Sequence, residues 1–161
     1  MTRVAFTLNG RPVSVEVEPR THLADLLRDA LGQTATHLGC EHGVCGACTI
    51  LIDGEPARSC IALPVALQGR DVRTLEGLRE DPQMLALMEA FREEHGLQCG
   101  FCTPGMLITL RDLLRRRPDI DEATVRLELG GNLCRCTGYQ GIVRAALRAA
   151  RHPSFADARG E

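Results

Sequence analysis

The first part of the chain alternates apolar and polar positions in two short runs. Residues 4–8 and 13–17 show this pattern with β-branched and other strand-forming side chains, which is typical of β-strands. Asn9-Gly10 stands between the two runs, and this dipeptide favours the tight turn of a hairpin. The sequence therefore predicts a β-hairpin at its start.

The spacing of apolar residues then becomes helical. Thr21 has the side chain of a helix N-cap, and Gly32 is a helix stop signal. These two positions bound one predicted helix. Its apolar residues are Leu23, Leu26, Leu27, Ala30 and Leu31.

A continuous apolar run, Thr49-Ile50-Leu51-Ile52, predicts a further strand, which an Asp53-Gly54 turn closes. Two strands, a helix and this third strand indicate a small mixed sheet with one covering helix. Strand signals vanish after about residue 75, so we place a first domain at 1–74.

Residues 75–161 carry only helical patterns and form the second predicted domain. Each pattern ends at a recognisable stop signal or begins at a cap. The first predicted helix contains Met84 and Phe91 and ends at His95-Gly96, and the second spans 106–114 and ends before Pro118. The third begins at an Asp121 cap and ends at Gly130-Gly131, and the fourth covers about 138–151.

Composition and charge exclude several functional classes. The 161 residues are 44% apolar and carry a net charge of −2 with mixed signs, so we expect a folded chain with no electrostatic case for nucleic acid or membrane. No stretch has the length of a membrane span or the apolar core of a signal peptide. We expect a cytoplasmic protein, in which disulfides are disfavoured.

Eight cysteines fall into two groups, and their tight spacing beside glycine predicts metal ligation. The first group is Cys40-x4-Cys45-x2-Cys48, with Cys60 further along. This is the spacing of plant-type ferredoxins, which hold a [2Fe–2S] cluster. Glycines within the loop would let backbone N–H groups approach the sulfurs.

Two other metal sites are weighed against this interpretation. A zinc site more usually pairs two Cys-x2-Cys units. A Rieske centre needs two histidines on one iron, and no Cys-x2-His follows Cys40-x-His42. His37 and His42 are therefore interpreted as loop-surface residues and not as ligands.

The second group is Cys99-x2-Cys102 with Cys134-x-Cys136. A thioredoxin-like pair would need a βαβ context, which is absent, and zinc usually has wider spacing. We favour a second iron–sulfur cluster, with zinc as the alternative. Two clusters in one chain indicate electron transfer, and the sequence has no catalytic triad, phosphate loop or HExxH motif.

The segment after the first of these pairs carries a helix-start signal. Thr103 is the predicted N-cap and Pro104 the predicted first helical residue. The positive end of this helix would then lie beside the thiolates, where negative charge is favoured.

Three motifs occur together in this chain, one at each cysteine-rich segment. They are Gly39-Cys40-Glu41-His42-Gly43-Val44-Cys45-Gly46-Ala47-Cys48-Thr49, Gln98-Cys99-Gly100-Phe101-Cys102-Thr103-Pro104-Gly105 and Gly131-Asn132-Leu133-Cys134-Arg135-Cys136-Thr137-Gly138-Tyr139. In this order they resemble the iron–sulfur subunit of the molybdenum hydroxylases, the xanthine oxidase family. The resemblance covers about residues 3–150.

The resemblance implies an α+β fold, in which a plant-ferredoxin-like β-grasp domain precedes a four-helix bundle. It implies one [2Fe–2S] cluster in each domain. The ligands it assigns are Cys40, Cys45, Cys48 and Cys60 for the first cluster, and Cys99, Cys102, Cys134 and Cys136 for the second.

The resemblance also implies the partners. Gln98 and Cys136 would contact a molybdopterin held by a separate large subunit. The first cluster would face an FAD-binding medium subunit or another acceptor, in a hetero-oligomer such as a dimer of heterotrimers. Electrons would run from molybdenum through the second cluster to the first and outward, with no substrate chemistry on this chain.

The alternatives are a free-standing ferredoxin and a structural zinc-binding interaction module. The motif departs from the expected pattern only at Gly130-Gly131-Asn132, where a single glycine is expected. Arg135, between two predicted ligands, has two equal interpretations: it tunes the charge at the cluster, or it forms a surface or interface salt bridge.

Overall fold

The predicted hairpin forms at the start of the chain. The computed structural model describes residues 1–156, in which β1 (Thr2–Leu8) pairs antiparallel with β2 (Arg11–Val17). Asn9 and Gly10 have φ values of 50° and 79°, as the tight turn between twisted strands requires. Both strands begin about two residues earlier than predicted.

The covering helix is short and irregular. An α-helical turn, α1 (Leu23–Asp25), continues as a π-helix over Leu26–Ala30. The N-cap is His22, which makes no side-chain capping bond, so the prediction of Thr21 as the cap is wrong. Burial of Leu23 and Leu27 against the sheet determines where this helix lies.

Three further strands complete a five-stranded sheet: β3 (Thr49–Ile52), β4 (Glu55–Arg58) and β5 (Asp71–Arg73). The strand order is β2-β1-β5-β3-β4, with β1 and β5 parallel and every other pair antiparallel. The sequence predicted β3 and its turn but neither β4 nor β5. Both are too short and too polar to show alternation.

Strand β3 is buried on both faces, which explains its continuous apolar run. Ile50 and Ile52 belong to the core between the sheet and α1, whereas Leu51 belongs to the core of the helices. The two predicted domains therefore pack directly against each other through this strand.

The second half of the chain is helical, as predicted. Asp81 caps α2 and Asp121 caps α4, each by accepting a backbone N–H three residues on. A short terminal helix was not predicted. The helices are α2 (Pro82–Glu93), α3 (Thr103–Arg116), α4 (Glu122–Glu128), α5 (Gln140–Ala150) and α6 (Pro153–Ala156).

The core of this half is aliphatic, with Phe91 and Phe155 as its two buried phenylalanines. Its helices α2, α3, α4 and α5 pack as the predicted four-helix arrangement. Within residues 1–156, no helix is long and apolar enough to cross a membrane. The predicted domain end at 161 lies beyond the described residues.

Candidate iron–sulfur sites

The loop before β3 directs backbone N–H groups at one cysteine sulfur. Cys40 Sγ accepts from the N–H of Cys45 and of His42 at 3.3 Å each, and from Val44 at 3.4 Å. Glu41 and Gly43 have positive φ, which turns successive amides toward the same side. These donors hold the pKa of the Cys40 thiol at about 6, well below its ordinary value of 9.

The four cysteines of this segment lie in two pairs. The thiols of Cys40 and Cys45 are within hydrogen-bonding distance at the loop surface, and those of Cys48 and Cys60 are paired in the interior. Burial raises the pKa of Cys60 to about 11. The neutral thiol is therefore favoured at Cys60, and a thiolate would be stable there only with a cation, such as a bound metal, beside it.

The second group of cysteines is assembled from two distant segments. Cys99 Sγ and Cys136 Sγ are 3.2 Å apart and exposed. Cys102 and Cys134 form the inner pair, also within hydrogen-bonding distance. This site therefore repeats the arrangement of the first one, with an outer pair and an inner pair.

The surroundings of the inner pair of the second site shift the pKa values of its two thiols in opposite directions. Burial raises the pKa of the Cys102 thiol to about 12. Burial is also the largest single influence on Cys134, but hydrogen bonds from the Thr137 hydroxyl, 3.1 Å from its sulfur, from the backbone of Thr137 and Cys136 and from Cys102 together outweigh it and lower the pKa of that thiol. The outer Cys99 has its pKa lowered by the N–H of Phe101, 3.5 Å away.

Helix α3 begins one residue earlier than the sequence predicts. Cys102 occupies the N-cap position without a side-chain capping bond, and Thr103 is the first helical residue, so the prediction of Thr103 as the cap is wrong. Within residues 1–156, the buried Thr103 hydroxyl has no hydrogen-bond partner. Cys102 itself therefore stands at the positive end of the helix, whose dipole favours a thiolate and so opposes the effect of burial.

Tyr139 braces the second segment and was not recognised as a site residue from the sequence. Its hydroxyl accepts from the N–H of Cys134 at 2.9 Å and donates to the Asn132 carbonyl at 3.0 Å. Its own backbone is left-handed, with φ of 68°, immediately before α5. The signal available in the sequence was its position: it is the single tyrosine of the chain, five residues after Cys134.

The two sites touch through the backbone. The N–H of Leu133 donates to the Cys45 carbonyl at 2.8 Å. Because Leu133 directly precedes Cys134, this single hydrogen bond joins a ligand candidate of the first group to the neighbour of a ligand candidate of the second. Asn132 Nδ2 lies 3.3 Å from the Gly46 carbonyl. Gly46 must be glycine here, because a Cβ would overlap the Gly131 carbonyl and its φ is +78°.

Arg58 crosses the same boundary from β4. Its guanidinium donates to the Gly131 carbonyl at 2.6 Å and also to the Thr49 hydroxyl. One cation therefore ties the sheet to the loop that precedes Cys134. The segments that carry the cysteines therefore contribute hydrogen bonds across the boundary between the sheet and the helical half.

Gln98 and Arg135 are both exposed beside the outer pair of the second site. The two loop histidines lie on carbonyl oxygens: His42 Nδ1 is 2.5 Å from the Cys40 oxygen and His37 Nδ1 is 2.7 Å from the Phe101 oxygen. The prediction that neither is a metal ligand stays a prediction.

The donor sets fit two-iron clusters. Among residues 1–156, no three His, Cys, Asp or Glu side chains are arranged around a single metal ion. The thiols instead form two quartets of two pairs, and backbone N–H groups point at their sulfurs. Four cysteines with such donors match what a [2Fe–2S] cluster requires.

Comparison with known families matches both halves of the chain. Residues 6–75 match the family described as 2Fe-2S iron-sulfur cluster binding domain. Residues 74–147 match the family described as [2Fe-2S] binding domain.

Individual proteins are similar over nearly the whole chain. The caffeine dehydrogenase subunit gamma of Pseudomonas sp. (strain CBB1) is 54% identical, over 88% of this chain and 87% of that protein. The nicotine 6-hydroxylase small subunit of Paenarthrobacter nicotinovorans is 51% identical, over 88% and 86%. In the crystal structure of quinoline 2-oxidoreductase from Pseudomonas putida 86, one chain superposes with a TM-score of 0.86 at 50% identity, covering 99% of this chain and 98% of that one.

Proposed function

This chain belongs to the iron–sulfur small subunits of the xanthine dehydrogenase family of molybdenum hydroxylases, and on that premise we propose how its residues serve electron transfer. The chain is an electron-transfer subunit with two 2Fe-2S domains. When bound, the clusters supply one-electron transfer. The residues of the chain hold them, tune them and present them to partners.

The ligands in this proposal are the eight cysteines, two to each iron. Contact between the thiols supports the pairing of Cys40 with Cys45 and of Cys48 with Cys60. It equally supports Cys99 with Cys136 and Cys102 with Cys134. In each site one pair lies inside and one lies at the surface, where a partner can approach.

One observation carries the assignment of the second site to the molybdenum partner. Three large apolar side chains within three residues of Cys99 or Cys136 are exposed: Leu97, Phe101 and Leu133 are 42%, 49% and 54% exposed. Apolar side chains around a redox site favour a permanent, covering partner over a transient one. Relatives of the chain are small subunits of multi-subunit enzymes, and a large molybdenum subunit is the partner. Gln98 and Cys136 would contact its molybdopterin.

The first site presents a second apolar rim, which we assign to the acceptor. Val44, which precedes Cys45, and Ile61, which lies against Gly43, are each 61% exposed, and Leu63 is 41% exposed two residues further along the chain. A fixed FAD-binding medium subunit fits such a surface better than a soluble, charged acceptor. The complex would then be a heterotrimer, or a dimer of heterotrimers, in the cytoplasm, where thiols stay reduced.

The hydrogen bond from Leu133 N–H to the Cys45 carbonyl supports the route between the sites. Leu133 precedes the ligand candidate Cys134, and Cys45 is itself a ligand candidate. The shortest covalent and hydrogen-bonded connection between the two quartets therefore passes through a single hydrogen bond.

Metal analysis of the purified chain tests the proposal against its two alternatives. About four iron and four sulfide per chain, with visible absorbance, are expected. Zinc without visible absorbance would favour the structural zinc module. Copurification with a large pterin-containing chain separates the subunit from a free-standing ferredoxin, which would be isolated alone.

We infer further that the complex acts on an N-heterocyclic substrate. Three of the similar proteins, each at least 50% identical, are a caffeine dehydrogenase subunit, a nicotine 6-hydroxylase subunit and a chain of quinoline 2-oxidoreductase, and each enzyme is named after a nitrogen heterocycle. The similar aldehyde oxidoreductases are less identical, at 34% and 35%. The partner subunit would bind the substrate. A screen of purines, pyridines and quinolines against aldehydes on the purified complex should show turnover with the heterocycles and contradict the inference if only aldehydes react.

A further inference from the structure

The turn that carries the outer cysteine of the second site lies at the surface. Cys99 is exposed and Phe101 is half exposed. Gly100 between them has a φ of +79° and open space around it. The Phe101 N–H donates to Cys99 Sγ over 3.5 Å, so the strength of this bond depends on whatever fixes Phe101.

The residue that fixes Phe101 comes from the N-terminal domain. The ring of His37 stacks on the Phe101 ring, with centroids 4.8 Å apart and an interplanar angle of 26°. His37 Nδ1 also lies 2.7 Å from the Phe101 carbonyl oxygen. Because a carbonyl only accepts hydrogen bonds, Nδ1 carries the proton, and the contact holds whether the ring is neutral or charged.

Gly39 supports the same aromatic ring from the loop. A Cβ at Gly39 would lie 3.7 Å from Phe101 Cε1, so the loop backbone passes close to the ring edge. The segment that leads into Cys40 therefore contacts both the ring and the carbonyl of Phe101.

We propose that His37 is a positioning residue for the second site, because it fixes Phe101 and through it the sulfur of Cys99. The effect extends to Cys136, whose sulfur is 3.2 Å from that of Cys99. The inference rests on the proposed ligand set. It means that the N-terminal domain tunes the partner-facing end of the C-terminal site.

Loss of this contact should act on one cluster only. N–H groups that point at cluster sulfurs stabilise the more negative, reduced state, so a looser Phe101 N–H lowers the midpoint potential. His37→Ala is therefore expected to alter the EPR signal of the C-terminal cluster and to lower its potential. His37→Gln, which retains a donor, should restore part of the shift.

The experiment is an EPR-monitored redox titration of the full chain loaded with iron and sulfide. Cys45→Ser and Cys136→Ser assign the two signals, since each alters one site. The matched control is His42→Ala. His42 lies on the same loop and also contacts a carbonyl, that of Cys40, but it should leave the C-terminal signal unchanged.

An unchanged C-terminal signal and potential in His37→Ala, with both clusters present, would overturn the inference. An equal C-terminal change in His42→Ala would also overturn it. If His37→Ala fails to retain its clusters, His37→Leu decides, because it fills the loop but removes both the ring stack and the N–H donor: a change confined to the C-terminal signal supports the role, and no change refutes it. A wild-type chain without two iron–sulfur signals would refute the proposed function itself.

Discussion

The two cysteine sites reach similar thiol arrangements by opposite routes. In the N-terminal site, three cysteines lie on one loop, and three N–H groups of that loop converge on Cys40 Sγ. In the C-terminal site, each pair joins segments more than thirty residues apart, as in Cys99 with Cys136. The first site is therefore a property of a loop, and the second is a property of helix packing.

This difference predicts how strongly the stability of each half depends on its metal. A loop that is closed by its own backbone hydrogen bonds keeps its shape without the metal, and the metal mainly stabilises the negative charge of its thiolates. A site that bridges two distant segments also gains stability for the helices around it, because metal binding and folding are coupled there.

The largest expected effect comes from breaking one ligand of each site. Cys136→Ser and Cys45→Ser should each lower the iron content from about four to about two per chain. Only Cys136→Ser should also lower the melting temperature of the helical half markedly, measured by far-UV circular dichroism. Equal loss of helix in both variants would show that the stability of the helical half does not depend more on the second site than on the first.

A steric change at the boundary between the two halves should destabilise both of them. Gly105 on α3 lies against the Gly46 carbonyl, and an added methyl group would overlap it. Gly105→Ala should lower the free energy of unfolding by about 1–3 kcal/mol, as overpacked sites do. Gly130→Ala is the control, since Gly130 has open space, and chemical denaturation should show little change. Similar losses in both would argue against a close boundary.

The helical half is further held by a sheltered ion pair. Asp81 accepts from Arg111 at 2.7 and 2.9 Å while capping α2. Asp81→Asn should cost about 1–3 kcal/mol, the range for charged hydrogen bonds. The exposed pair Asp53–Arg70 in the N-terminal half should contribute less than 1 kcal/mol, so Asp53→Asn is the comparison.

The pH dependence of the Asp81 contribution has a defined sign. Burial alone would raise the pKa of Asp81, but Arg111 and the Met84 N–H outweigh it and hold the pKa below its usual value. The stabilisation is therefore full above the unfolded pKa of about 3.9 and is lost as the pH falls through the lower folded pKa. Unfolding curves between pH 7 and 2 should converge for wild type and Asp81→Asn in acid; a constant difference would contradict the assignment.

The smallest effect on stability, and a specific one on function, is expected at Gln98. Its side chain is exposed beside Cys99, so Gln98→Ala should leave both clusters and the melting temperature unchanged. In the intact complex it should slow reduction of the clusters by substrate several-fold, measured by stopped-flow absorbance. Unchanged electron delivery would mean that the predicted pterin contact is wrong.

Local patterns predicted much of the fold. The Asn9-Gly10 turn, β3 and the Asp121 cap lie where neighbouring residues alone determine conformation. The errors lie where tertiary contacts decide: Thr21 and Thr103 were both predicted as caps, and the N-cap is His22 in one helix and Cys102 in the other. Strand β5 has no pattern of its own and exists because β1 and β3 flank it.

The site shows the same division. The sequence by itself determined the ligand candidates, their grouping and the family, because cysteine spacing and glycine-rich turns act over a few residues. Only the tertiary structure decided which thiols pair, that the Leu133 N–H donates to the Cys45 carbonyl, and that His37 stacks on Phe101. These contacts join segments tens of residues apart, and their partners are selected by the packing of the whole aliphatic core, which no local pattern encodes.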